Sequence, residues 1–311
     1  IVLEKDFTGE GTVADSHGHG THVAGIITGD GTASGGSYVG MAPDAGVMNL
    51  RVMGSDGTGS TSDIIDAMEY ADRNGADIVS MSLGGDTSSN DPFFDAVETI
   101  TANGTTVVVA AGNSGSNYET IKSPGVVPAA ITVGASDDAD RITSFSSRGP
   151  TPMRGYVKPD LVAPGNYVRS AEAGTDGYTA KSGTSMATPV VAGVGALVLE
   201  AHPGWGPEEL KSSLVGTTDD IGSYDVYTVG SGRLNATAAV SSDLIVRQAT
   251  TNFGNLTDQM TASRSLNLTN VGSESRTVSL SAAATSLDGA SGNVTLNKTS
   301  VTLSPGESVH V

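Results

Sequence analysis

Three short stretches carry side chains able to do chemistry together. Ser185 stands in Gly183-Thr-Ser-Met-Ala-Thr-Pro189, just before residues 190–201, a small and apolar run long enough for a buried helix. A serine at a helix N-terminus serves as a cap or as a nucleophile. His19 stands in Asp15-Ser-His-Gly-His-Gly-Thr-His-Val-Ala-Gly25, where flanking glycines leave the imidazole accessible and a short helix from Thr21 would carry it. An exposed, positioned imidazole is what a general base requires. The H-x-H-x-x-H spacing of His17, His19 and His22 also offers three imidazoles to a metal, without an H-E-x-x-H pattern or an evident carboxylate partner. Asn113, in Ala110-Ala-Gly-Asn-Ser-Gly115, can donate its amide to a developing oxyanion or close an Asx-turn.

The elements that must position these groups follow from periodicity. Residues 47–53 read as a strand, and 62–74 as a helix with Ile64, Met68 and Ala71 on one face, ended by Gly75. Residues 76–82 read as a buried strand, Asp91-Pro92 opens a helix carrying Phe93, Val97 and Ile100, Gly104 ends it, and 105–111 is a further apolar strand. Strand, helix, strand, helix, strand predicts an α/β fold, a doubly wound, mostly parallel sheet whose carboxyl edge carries the ligand loops. Ser82-Leu-Gly-Gly85 and Gly112-Asn-Ser-Gly115 are such loops.

After about residue 245 the texture changes to Thr, Ser and Asn with period-two alternation, in 264–269, 276–282, 294–296 and 300–303. Turn clusters at Asn270-Val-Gly272 and Asp288-Gly-Ala-Ser-Gly292 separate these runs, as in an immunoglobulin-like or fibronectin-like β-sandwich. The expected division is therefore 1–245 and 246–311, the second unit incomplete. Ile1 follows no initiator Met and no signal-peptide pattern, so something upstream is expected to have been removed.

Composition sets outer limits. With 34 acidic and 16 basic residues the net charge is −18, which argues against nucleic-acid binding. The absence of Cys removes disulfides, thiol catalysis and Cys-type zinc sites, and the longest apolar runs read as too short for a membrane span. Six Lys against 23 Asp is the balance of a fold stabilised by high salt.

Taken together, His19-Gly-Thr-His-Val-Ala-Gly25, Ala110-Ala-Gly-Asn-Ser-Gly115 and Gly183-Thr-Ser-Met-Ala-Thr-Pro189 resemble the motifs of the subtilisin-like serine peptidases, in that family's order. The resemblance runs from about residue 1 to 240. It implies a serine endopeptidase of broad specificity, working through an acyl-enzyme, with Ser185 as nucleophile, His19 as general base, and Asn113 with the Ser185 N–H as oxyanion donors. It also implies polypeptide substrates held between Gly57-Thr58-Gly59 and Ser82-Leu83-Gly84, a pocket wall of Ala110, Ala111 and Gly112, a propeptide in the precursor, and secretion to the extracellular space. Lys122 falls near the floor of that pocket, where a basic group favours acidic side chains. No cofactor is required; structural calcium is compatible with the family, but residues 29–39 hold no carboxylate-rich cluster, and no metal ligand is assigned.

One member of the expected triad is missing. Only 18 residues precede His19, and the family's Asp-Ser/Thr-Gly strand is not among them. Asp6 falls after that strand, and Asp15, four residues before His19, reads as a loop or capping carboxylate. Asp160 reads as structural. The chain is thus expected to be a protease fragment that lacks its orienting carboxylate and at least one strand, and to be weakly active or inactive alone. A non-catalytic peptide-binding relative is the alternative if the aspartate is truly absent.

Overall fold

The computed structural model describes residues 1–222, 224–251, 253, 261–282 and 293–311. In chain order these form β1 (Leu3–Asp6), α1 (His19–Thr28), β2 (Met48–Arg51), α2 (Thr61–Arg73), β3 (Ile78–Met81), α3 (Phe93–Asn103), β4 (Thr106–Ala110), β5 (Ile131–Ser136) and β6 (Leu161–Pro164). There follow β7 (Val168–Ala171), β8 (Tyr178–Lys181), α4 (Thr184–Ala201), α5 (Pro207–Gly216), α6 (Val226–Val229), α7 (Ala236–Val240) and β9 (Leu244–Arg247). The chain closes with β10 (Asn267–Asn270), β11 (Arg276–Ser279), β12 (Ser300–Leu303) and β13 (Ser308–His310).

β3, β4, β5 and β6 make a parallel sheet in that order. β4 is the centre, with every residue of Thr-Val-Val-Val-Ala buried. Alternation then sorts its side chains between two helical layers. Val108 joins Ile131, Val133, Ala187, Val191 and Leu214 on the α4 and α5 side, while Val107 and Val109 join Ile64, Met68, Phe93, Val97 and Ile100 on the α2 and α3 side. The sheet is doubly wound, as the periodicity predicts.

Local signals hold in detail. Ser60 caps α2 by accepting the Asp63 N–H at 3.1 Å, and Gly104 closes α3 with φ 117°. α1 begins at His19 rather than Thr21, so the histidine is its first residue. α4 is the one helix among the described residues long and apolar enough to cross a membrane, a length the apolar run alone understates. Here it packs on β3, β4, β5 and β6 as a core helix.

β3 departs from the buried strand expected at 76–82. Only Met81 is buried, while Ile78, Val79 and Ser80 stay half-exposed. The reason is pairing: β1 and β2 form a separate parallel pair, so β2 and β3 each keep one edge without a neighbour among the described residues. Val52, just after β2, nevertheless shares a hydrophobic cluster with Val79 and Leu83 beneath α2 and α3.

The C-terminal strands are antiparallel, β13-β10-β9 and β11-β12, around buried Leu268, Val301 and Leu303. β9 runs across position 245/246 and is bound to α5: the Val246 N–H donates to Ser212 Oγ at 2.6 Å, and Arg247 pairs with Glu208 and Glu209, each at 2.5 Å. Residues 294–296, expected as a strand, carry none; Val294 is half-exposed with no ladder to join. The turn cluster at 288–292 lies outside the described residues.

Candidate active site

Ser185 is the second residue of α4, so its N–H falls in the first turn and has no intrahelical acceptor. The positive end of the helix dipole adds to that donor. The side chain is held toward the end of β3 by a reciprocal pair: Ser185 Oγ donates to the Ser82 carbonyl at 3.2 Å, and Ser82 Oγ donates to the Ser185 carbonyl at 2.7 Å.

Asn113 follows β4 and is oriented by Thr184. Its Oδ1 accepts both the Thr184 N–H, at 2.9 Å, and the Thr184 hydroxyl, at 3.1 Å. Thr184 Oγ1 in turn accepts the Gly112 N–H at 3.2 Å. Only the carbonyl oxygen of an amide can accept twice, so Nδ2 is turned the other way with both protons free to donate. Asn113 thus does not close an Asx-turn; it stands beside Ser185 with donors available. Thr184 is a site residue that motif reading missed, because nothing in its spacing says which neighbour it will orient.

His19 opens α1, which packs on α4 and on β7. The close approach to β7 passes over Gly25, where a Cβ would run into Ser170 Oγ and crowd the Ala171 Cβ at 3.1 Å. One turn along, the buried His22 fixes the helix to β8 through Nε2 and the Thr179 carbonyl, 3.1 Å apart. β8 leads directly into Ser185, so the two helix starts share a support. Burial, then the charges of Lys181 and His17, push the His19 pKa below the ordinary histidine value, with Asp15 opposing. The imidazole is therefore neutral near pH 7, and it has no hydrogen-bond partner among the described residues.

The three histidines do not converge as a metal site would require. His22 is turned into the core, the rings of His17 and His19 lie 6.4 Å apart, and no group of three or more His, Asp or Glu side chains gathers around a common point among the described residues. Asp15 is a capping carboxylate: it accepts the N–H groups of Gly18 at 2.7 Å, His17 at 3.1 Å and Thr21 at 2.7 Å. Burial raises its pKa, but these bonds outweigh that and hold it below the usual carboxylate value. Asp6 is spent likewise on Thr8 and Gly11.

Asp160 is buried at the start of β6, the sheet edge opposite the site. It pairs with Lys158 at 2.6 Å and Lys211 at 3.1 Å, and accepts from the Thr132 N–H and Thr250 Oγ1. Burial drives the Lys158 ammonium down to about 7 despite Asp160.

The expected substrate edges divide in two. In Gly57-Thr58-Gly59 the middle residue is used up inside a tight turn: its N–H donates to Asp56 and its carbonyl accepts the Gly54 N–H at 2.7 Å. The Gly57 carbonyl and the Gly59 N–H have no partner among the described residues, nor does the main chain of Gly84 across the cleft. Leu83 rests on the α2 and α3 core. Ala110, Ala111 and Gly112 are a wall instead, their main chain occupied by Val133, Lys122, Ser147 and Thr184. A brace that sequence reading missed holds the first edge. Arg51, nearly buried, pairs with Glu10 at 2.5 Å and donates to the carbonyls of Thr12 and Met53, while Glu10 also accepts from Ser55.

A family model described as the Subtilase family matches residues 4–286. Serine protease AprX of Bacillus subtilis (strain 168) is 40% identical over 73% of this chain, and the chain spans 58% of that relative's length. Subtilisin BL of Lederbergia lenta is 39% identical, with 74% of this chain and 80% of the relative covered. Among solved structures, Sphericase aligns with a TM-score of 0.67 at 32% identity, over 75% of this chain and 84% of its own. A cold adapted subtilisin-like serine proteinase aligns with a TM-score of 0.61 at 33% identity, over 75% of this chain and 79% of its own.

Proposed function

The chain belongs to the subtilase family, and from that premise we propose that it is the catalytic portion of a serine endopeptidase that cleaves polypeptides through an acyl-enzyme. Ser185 is the nucleophile, His19 the general base that takes its proton and returns it to the leaving amine, and Asn113 Nδ2 with the Ser185 N–H the oxyanion donors. The observation that carries this reading is the double acceptance by Asn113 Oδ1 from Thr184, the residue before Ser185, which fixes the amide and leaves its Nδ2 protons without an acceptor among the described residues before any substrate arrives. Substrate main chain pairs with the free groups of Gly57, Gly59 and Gly84, which are blind to side-chain identity and support broad specificity.

The mechanism asks for a carboxylate behind His19 Nδ1, and no described residue supplies one. The edges of β2 and β3 that are unpaired among the described residues support a place for it. A parallel strand added beside β3 would end on the same side of the sheet as Ser82, which bonds Ser185. The chain alone then turns over slowly, because its imidazole lacks the group that fixes the tautomer and stabilises the imidazolium.

We further propose residues 1–245 as the peptidase unit and 246–311 as part of a β-sandwich, supported by two antiparallel sheets around one small core. Polypeptide substrates, a propeptide in the precursor and an extracellular location belong to the same reading. The test is labelling and hydrolysis: a fluorophosphonate should modify Ser185, and slow casein hydrolysis should vanish in Ser185→Ala. Labelling elsewhere, or hydrolysis surviving that substitution, refutes the assignment; robust hydrolysis that Ser185→Ala abolishes refutes only the need for a further carboxylate.

A further inference from the structure

A proline, Pro189, lies buried inside α4, one turn beyond Ser185. In a regular helix the carbonyl of residue 185 accepts the N–H of residue 189. Proline has no N–H, and its ring crowds the carbonyl four residues back, so the Ser185 carbonyl loses its helical donor. The Ser82 hydroxyl supplies one in its place, at 2.7 Å.

Ser82 directly follows Met81, the buried last residue of β3, which is paired with Val109 of β4. Its hydroxyl is thus carried by the sheet, on which α4 packs. The bond is returned, since Ser185 Oγ donates to the Ser82 carbonyl at 3.2 Å. Each serine gives its hydroxyl to the other's carbonyl, and the two bonds close a ring that holds Ser185 by main chain and side chain together. The neighbouring carbonyl is braced as well: Thr188, just before the proline, donates its hydroxyl to the Thr184 carbonyl at 2.9 Å. That bond favours the helical conformation which a following proline disfavours.

We propose that Ser82 is a positioning residue of the peptidase, its hydroxyl standing in for the helical hydrogen bond that Pro189 removes. Pro189 frees the Ser185 carbonyl from the helix, and Ser82 ties that carbonyl to the end of β3. The first turn of α4 is thereby placed by the sheet rather than by its own hydrogen-bond ladder. When the Ser185 hydroxyl leaves the Ser82 carbonyl to give its proton to His19, the bond from Ser82 Oγ remains and keeps the main chain in place. Without it the turn is free to shift, and a shift of about 1 Å suffices to spoil the geometry of attack. The inference rests on the peptidase reading for the role of Ser185, while the exchange of one hydrogen bond for another also shows in stability.

The experiment is a double-mutant cycle on the full chain, with Ser82→Ala, Pro189→Ala and both together. It reads the rate at which a fluorophosphonate modifies Ser185, the kinetics on a peptide anilide, and the denaturant midpoint. Ser82→Ala should slow modification by about five- to tenfold, the range for one neutral hydrogen bond, and lower kcat without raising KM. In the Pro189→Ala background residue 189 again donates to the Ser185 carbonyl, and the loss should shrink below about twofold. Ser82→Thr, which keeps the hydroxyl, should retain most of the rate. An unchanged rate in Ser82→Ala, a loss equally large with and without Pro189, an effect confined to KM, or a fallen midpoint beside an unchanged rate overturns the proposal. No modification of Ser185 in the unsubstituted chain would instead sink the peptidase reading. The midpoints then decide the hydrogen-bond exchange by themselves, since a Ser82→Ala drop that persists in Pro189→Ala refutes it.

Discussion

Ser185, Asn113 and Thr184 are tied together, since Thr184 uses two donors to fix the Asn113 amide at the start of the helix that carries Ser185. Thr184→Val keeps the backbone donor and removes the hydroxyl. It should lower kcat by about three- to tenfold at nearly constant KM, the range for one neutral hydrogen bond, in assays on a peptide anilide. A change confined to KM would place Thr184 in substrate binding instead. His19 makes a pH prediction. Because burial, Lys181 and His17 lower its pKa, the neutral base persists below the ordinary midpoint of about 6.5. The acid limb of kcat/KM should therefore lie below that value, with rate lost as pH falls through it. Lys181→Met removes a positive charge and should move the limb upward; a downward move would contradict the assignment. At this scale the motifs announced Ser185, His19 and Asn113. Thr184, Lys181 and the tie of Ser82 to Ser185 stayed hidden, because they depend on neighbours brought together from distant parts of the chain.

Among the elements, periodicity located α2, α3 and β4 closely, because each buries one continuous face and is bounded by a cap or a glycine. It misjudged β3, since an apolar run reports that side chains can be buried, while burial itself depends on a neighbouring strand. It also placed Ser185 at the N-terminus of the helix that leads into residues 190–201, and α4 begins at Thr184. Opposite the site, β6 is anchored by Asp160 under two lysines. Asp160→Asn would remove the carboxylate that Lys158 and Lys211 share, and with it the charge that supports a Lys158 ammonium already lowered to about 7 by burial. Denaturant unfolding should show a loss of about 3–5 kcal/mol, as for breaking a buried pair from one side. A loss below about 1 kcal/mol would mean that solvent reaches the cluster.

For the whole molecule, the −18 charge predicts a fold strained by self-repulsion. The thermal midpoint should rise between about 0.1 M and about 2 M salt as screening shortens the range of that repulsion. An unchanged midpoint would show that the local pairs, such as Arg51 with Glu10 and Arg233 with Asp219, already neutralise it. The amino-acid sequence by itself determined the fold class, the order of the catalytic motifs and the absence of thiol chemistry, because each depends on residue identity and short spacing. Tertiary structure decided which edges stay unpaired among the described residues, that Asp15 caps a helix, that the three histidines diverge, and that Lys122 pairs with Asp86. Those are contacts between residues far apart in the chain, and no local pattern encodes which of several able partners a group will meet.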